Sequence, residues 1–165
     1  MKTLRPLLSL VAITCLGLSS CFKQVPIDED MNQRKAAISV ATKYMQAFED
    51  HEVDKLLAMS KTPYWLDGKV VGEDEELDRI FREELIGEVD EERWELLNAR
   101  FYSTADMEMF APRLMKKLKI YPGAKESYFV ALQMTDKERP SSEPEGVIFL
   151  MAFEDGQWYV QGLDD

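Results

Sequence analysis

Apolar residues recur at Ala37, Ala41, Tyr44 and Phe48, with Ile38, Val40 and Met45 widening the stripe. Steps of three and four predict an amphipathic helix from about Met31 to Asp50. A break at Asp50-His51 separates it from a short second helix carrying Val53, Leu56, Leu57 and Met59, and Pro63 is expected to end that region. Between Thr62 and Gly72, Asp67-Gly68 stands between two β-rich triplets, the signature of a tight hairpin turn that needs positive φ. Helical period returns over residues 73–86 at Leu77, Ile80, Phe81, Leu85 and Ile86, with Gly87 placed to cap the end.

Residues 93–103 alternate as a strand, with Leu97, Ala99 and Phe101 expected on one face and Asn98, Arg100 and Tyr102 on the other. Over 105–119, Met107, Phe110, Leu114 and Leu118 keep a helical spacing that Pro112 interrupts, so Pro112 is expected to open a second short helix. Three strands finish the chain, at about 127–135, 147–154 and 157–163. The segment from Lys137 to Gly146 holds Pro140, Ser141, Ser142 and Pro144 and reads as a loop. Asp155-Gly156 is a second tight-turn signal.

The first 20 residues follow a different logic. Lys2 and Arg5 precede a dozen mostly apolar residues from Leu7 to Leu18. A spanning helix needs roughly 20 apolar residues, so this run is short and reads as a secretory signal. It ends Leu18-Ser19-Ser20-Cys21, which resembles the bacterial lipobox: an aliphatic residue, two small ones, then cysteine. The resemblance implies cleavage before Cys21 and acyl chains on that residue, anchoring the protein in a lipid bilayer. An ordinary signal peptide or a short membrane anchor is the competing reading. Phe22 follows the cysteine where aspartate often marks inner-membrane retention, so the expected location is the exported side of the envelope, at the outer membrane if one is present. Residues 21–30 are expected to be a lipidated tether, and 31–165 the domain.

The formal net charge is −11, and removing Lys2 and Arg5 with the signal leaves −13. Such a surface repels phosphate backbones and anionic headgroups. Nucleic acid is therefore not an expected partner, and overall charge is not what would hold the domain at a membrane. Cys15 lies in the removed stretch and Cys21 stands alone after it, so no internal disulfide can form. A mature chain of this length buries roughly two-thirds of its unfolded surface and needs none.

The order helix, short helix, hairpin, acidic helix, long strands resembles the nuclear transport factor 2-like, or cystatin-like, cone. The stretch Tyr44-Met-Gln-Ala-Phe-Glu-Asp-His-Glu-Val-Asp-Lys-Leu is similar to that family's helix-break-helix start, and Phe-Glu-Asp-Gly-Gln-Trp-Tyr-Val to its closing hairpin. The resemblance covers most of residues 33–163 and departs over 104–126. It implies an α+β fold in which a curved antiparallel sheet wraps an N-terminal helix and leaves a pocket between them.

The family includes isomerases whose first helix supplies an oxyanion-donating tyrosine and whose base is a carboxylate. Tyr44 and Asp67 fall near those places and are the catalytic candidates by resemblance. The competing reading makes Asp67 a turn residue and Tyr44 a core ring with a bonded hydroxyl. Pocket candidates are Tyr44, Trp65, Asn98, Arg100, Phe129 and Trp158. His51, the single histidine, sits in the helix break, and no metal or cofactor is expected. The acidic run from Glu73 to Glu92 reads as a solvated helix face, and Arg113, Lys116, Lys117 and Lys119 as the completion of a helix C-terminus. The expected function is a tethered, non-catalytic domain that binds a small apolar ligand or a protein, as a monomer or homodimer. The alternative is an isomerase-, cyclase- or hydrolase-type enzyme acting on a small apolar ligand in the cone.

Overall fold

A computed structural model of the chain describes residues 27–66, 68–85, 93–121, 127–138 and 143–164. The expected signal peptide, Cys21, Asp67, Gly87 and the acids Glu88 to Glu92 lie outside the described residues.

Helix α1 spans Ile27–Glu49, starting four residues before the expected Met31, inside the expected tether. Asp30 in its first turn suits the positive end of a helix, which the apolar period alone does not register. From Asp30 to Ala36 every residue is exposed, and the stripe first becomes buried at Ala37, followed by Ala41, Tyr44 and Ala47. The helix ends where His51 takes φ +56°, a left-handed conformation usually given to glycine. The N–H groups of Asp50, His51 and Glu52 return to the carbonyls of Gln46, Phe48 and Ala47. His51 thus closes a helix. His51→Gly should raise stability by up to about 1 kcal/mol in urea denaturation; a clear loss would assign the side chain a further task.

Helix α2 (Val53–Met59) runs directly into strand β1 (Ser60–Leu66). Pro63 therefore lies inside a strand instead of ending the helical region. It follows a cis peptide and falls where the pairing of β1 slips between Ser60 and Trp65, so no ladder bond is asked of its missing N–H. Strand β2 (Lys69–Val71) completes the expected hairpin, with Gly68 at φ +79°. Helix α3 (Asp74–Ile80) continues as a wider turn over Phe81–Leu85 and buries Leu77, Ile80 and Phe81. Glu73, Asp74, Glu75 and Glu76 are exposed on its first turn, as the acidic run predicts.

Strand β3 (Trp94–Ser103) is tied to the end of α1 by the Trp94 N–H, which donates to Glu49 Oε1 at 2.9 Å. Its alternation is broken by a bulge between Leu96 and Asn98. Leu97 is thrown outward, 51% exposed, against the expectation that it share a face with Ala99 and Phe101. Helix α4 (Thr104–Phe110) starts from a capping box: Ser103 Oγ accepts from the Asp106 N–H, and the Asp106 carboxylate accepts from the Ser103 N–H and hydroxyl. Those Ser103 bonds hold the Asp106 carboxyl below its ordinary pKa. Pro112 opens α5 (Pro112–Lys117), with Lys116 and Lys117 in its last turn as expected, and a 3₁₀ turn follows over Leu118–Ile120.

Strands β4 (Tyr128–Asp136), β5 (Glu145–Glu154) and β6 (Gln157–Asp164) complete a six-stranded sheet in the order β2-β1-β6-β5-β4-β3. The β5–β6 turn has φ +50° at Asp155 and +81° at Gly156, both positive as a two-residue hairpin demands. The fold is α+β, an N-terminal helix against a curved, open sheet. Four strand pairs are antiparallel, as expected; β1 and β6 are parallel. Curvature comes with the bulges in β3 and at the β1–β6 and β5–β6 pairs.

Both faces of the sheet are buried in its middle. On β5, Val147, Phe149 and Met151 pack toward α1, while Ile148 and Leu150 belong to a second cluster with Leu114 and Leu118 of α5 and its 3₁₀ turn. The 104–121 stretch, where the sequence departs from its family resemblance, thus forms a lid on the sheet's other side. Among the described residues no helix is long and apolar enough to cross a membrane.

Candidate functional site

The first candidate, Tyr44, is fully buried on α1, and its hydroxyl lies 2.9 Å from that of Tyr64 and 3.1 Å from Ser60 Oγ. Ser60 Oγ also donates to the Leu56 carbonyl at 2.8 Å. A carbonyl only accepts, and each hydroxyl has one proton. All three bonds are satisfied by one arrangement: Tyr64 donates to Tyr44, Tyr44 to Ser60, and Ser60 to Leu56. Burial pushes the Tyr44 pKa up to about 12, against the pull of its bonds to Ser60 and Tyr64. Burial first, then Tyr44, raises Tyr64 well above its ordinary value. Two neutral phenols with committed protons pin α1 to β1.

The direction of this chain has a measurable consequence. Tyr44→Phe leaves the Tyr64 proton without its acceptor, costing about 1–3 kcal/mol, whereas Tyr64→Phe removes only a donor and should cost about 1 kcal/mol. Urea denaturation of the two variants reads the order; equal costs would mean the chain runs otherwise. The raised pKa values also predict alkaline unfolding. Both phenols bind their protons more tightly folded than unfolded, so their contribution is complete below pH 10 and is lost as pH climbs toward 12. Tyrosinate absorbance from these two residues should therefore appear together with loss of tertiary circular dichroism.

The six pocket candidates do not share one pocket. Tyr44 and Trp158 lie on the α1 side of the sheet; Trp65 and Phe129 lie in the cluster under α5. Asn98 and Arg100 are exposed on β3, which ends the strand order. The space beside Trp65 and Phe129, closed by Leu114, Leu118, Ile148 and Leu150, measures about 10 Å³, room for a single water at most.

A different cluster is partly open. The Trp158 ring, on the α1 side of β6, meets three others: Phe153 at 5.0 Å, Tyr128 at 5.4 Å and Phe101 at 5.9 Å between centroids. Phe101 and Tyr128 stack at 5.3 Å, and the Arg34 guanidinium sits 5.6 Å over Phe101. Tyr128 and Phe153 are each 39% exposed, while Trp158 is 8% exposed and its Nε1–H is buried without a hydrogen-bond partner. The result is an aromatic shelf over a buried, unpaired indole N–H, with the Arg34 guanidinium, itself paired with Asp30 at 2.9 Å, beside it; the Trp65 Nε1–H under α5 is buried and unpaired in the same way. The residues missed from the sequence are Tyr128, Phe153 and Arg34. Phe153 was within reach, because a two-residue turn at Asp155-Gly156 must place 153 opposite 158. Tyr128 and Arg34 depend on pairings distant in sequence.

Two open clefts carry charged residues among their lining. One of about 450 Å³ lies between α2 and α3 and carries Asp74, Glu75 and Asp78. Two of these carboxylates have local partners: Thr62 Oγ1 donates to Asp74 at 2.7 Å, and Arg82 pairs with Asp78 at 2.8 Å. The other, of about 370 Å³, is rimmed by Lys43, Asp50, Glu52 and Lys55. Among the described residues no group of three or more His, Cys, Asp or Glu is placed to hold a metal ion.

No protein-family model and no curated protein matches the chain. Solved structures align at low similarity. A Nostoc punctiforme protein of unknown function with a cystatin-like fold aligns at 14% identity and a TM-score of 0.47, over 78% of this chain and 85% of its own. A Xanthomonas campestris protein named for a calcium/calmodulin dependent protein kinase II association domain aligns at 12% identity and a TM-score of 0.40, over 76% and 80%.

Proposed function

We propose that this chain is a lipid-anchored envelope protein, held by acylated Cys21, whose nuclear transport factor 2-like domain is a non-catalytic binding module for a small, largely apolar ligand. The observation that carries the binding role is the shelf around Trp158: half-exposed rings enclosing a buried N–H that has no partner in the protein. An unpaired buried donor costs about 1–3 kcal/mol, which a ligand acceptor would recover. Binding is favoured over catalysis because the Tyr44 proton, the donor that an isomerase of this fold would use, is already given to Ser60.

The anchor is supported by the charged, apolar and small-residue succession that ends at Cys21. One acyl chain binds a bilayer only marginally, at about 0.8 kcal/mol per buried CH₂, whereas two or more hold firmly. Cys21→Ser should leave unprocessed precursor or release the protein; cleavage at an ordinary site with membrane binding retained would contradict the anchor. For the ligand, native mass spectrometry of protein extracted from its producing cells should show a non-covalent small-molecule adduct. The adduct should weaken in Trp158→Phe, which keeps a ring in the cluster and removes the N–H. A wild-type protein that flies as bare acylated polypeptide would contradict the binding role.

A further inference from the structure

We propose that the outward side of α4 and α5 is a second membrane contact, with Met109 and Phe110 entering the headgroup region of a bilayer and Arg113, Lys116 and Lys119 facing its anionic phosphates. The proposal deepens the tethering role of Cys21, but the surface itself is formed by the fold and not by the lipid.

Met109 and Phe110 are 70% and 66% exposed, the highest values among the large hydrophobic residues described. Their helix buries Met107 toward the sheet, which sends Met109 to the opposite side, while the Phe110 ring leans on Tyr102 at 5.8 Å. One residue later α5 begins. Leu114 and Leu118 face the sheet, so the helical period turns Arg113 and Lys116 outward, while Lys117 reaches Asp164 of β6, and all four cations are exposed. Exposed apolar side chains followed within a few residues by exposed cations are the composition that interfacial membrane segments use.

The charge balance agrees. Residues 104–120 hold Arg113, Lys116, Lys117 and Lys119 against Asp106 and Glu108, and with Asp164 beside Lys117 the local net is +1 in a chain of −11. Asp106 is engaged in the capping box, and Lys117 also bonds Asp164 at 3.2 Å. Screening confines each charge to about 8 Å at physiological salt, so a bilayer touching this face meets the local positive sign and not the distant acids of α3.

The path of the chain links this side of the domain to the anchor. Arg34 of α1 lies over Phe101 of β3, the strand that runs into α4. Ile27 begins α1 seven residues earlier, about 10 Å along the axis. Six residues from Cys21 to Ile27 reach at most about 20 Å. A lipid on Cys21 therefore keeps α4 and α5 within some tens of ångströms of the bilayer, where even a weak surface contact is occupied through its high effective concentration.

The test uses the acylated mature protein, labelled with a fluorophore through Glu108→Cys and reconstituted into vesicles containing brominated lipids, with and without phosphatidylglycerol. Quenching of at least twofold is expected with phosphatidylglycerol. It should fall to the level of zwitterionic vesicles in Met109→Ser/Phe110→Ser and in Lys116→Glu/Lys119→Glu, with unchanged circular dichroism. Flotation reads the anchor separately. A protein that floats with the vesicles without quenching overturns the face while leaving the tether; one that does not float overturns both. Quenching untouched by the substitutions, or label self-quenching that shows two copies joined through Phe110, also overturns it.

Discussion

Gly162→Ala is expected to destabilise the protein by at least about 3 kcal/mol, by a steric route that side-chain rotation cannot relieve. Gly162 lies on β6 between Leu150 of β5 and Trp65 of β1. A Cβ there would come within 2.6 Å of both the Trp65 Cβ and its carbonyl oxygen, and 3.1 Å of its Cα. Trp65 has little room to retreat, being 2% exposed and packed under Leu114 and Leu118. The parallel β1–β6 contact thus depends on a missing side chain. Gly72→Ala is the control: nothing lies within 4 Å of its Cβ position, so the change should stay within about 0.5 kcal/mol. Urea midpoints of the two variants give the comparison. A Gly162→Ala protein as stable as Gly72→Ala would mean that β1 and β6 do not meet as described.

Phe149→Ala should cost about 3–5 kcal/mol, the range for emptying an aromatic site in a packed core. Phe149 is fully buried on β5, and its ring meets Tyr44 edge-on at 5.8 Å and 70°. It joins the sheet to the part of α1 that holds the hydroxyl chain, so the cavity would also loosen Tyr44. For a domain of this size each kcal/mol is worth roughly 3–4 °C, so the melting temperature should drop by about 10–20 °C. Phe153, also on β5 but 39% exposed, should lose far less on truncation. Equal losses at 149 and 153 would contradict the assignment of core and shelf.

What the sequence made legible was local. Both tight turns follow from Asp-Gly pairs, and the helix over Pro112–Lys117 from a proline at its first position. Alternation in 147–154 sorts Val147, Phe149 and Met151 from Ile148 and Leu150 without knowledge of their partners. What failed depended on distant contacts. Leu97 has the right period to face inward, but a bulge in the β3–β4 pairing turns it out. Pro63 reads as a helix terminator until β6 is seen to leave its register free. The lid formed by α4 and α5 keeps a clear helical period, yet period does not say which face of which sheet it covers.

The candidate site divides the same way. Trp158 was grouped as a pocket candidate with Trp65 and Phe129, which belong to the opposite face of the sheet. Large apolar residues look alike in sequence whether they line a shelf or fill a core. Exposure separates them: Tyr128 and Phe153 present ring surface to solvent, while Phe129 and Phe149 present none.

The binding role of the shelf is tested most directly by the indole N–H signals of the three tryptophans, Trp65, Trp94 and Trp158, in ¹⁵N-labelled protein. Spectra would be compared for protein as extracted from cells and for the same protein stripped by denaturing chromatography and refolded. The account predicts that the Trp158 signal moves between the two samples while those of Trp65 and Trp94 stay in place. Superimposable signals from all three would contradict it.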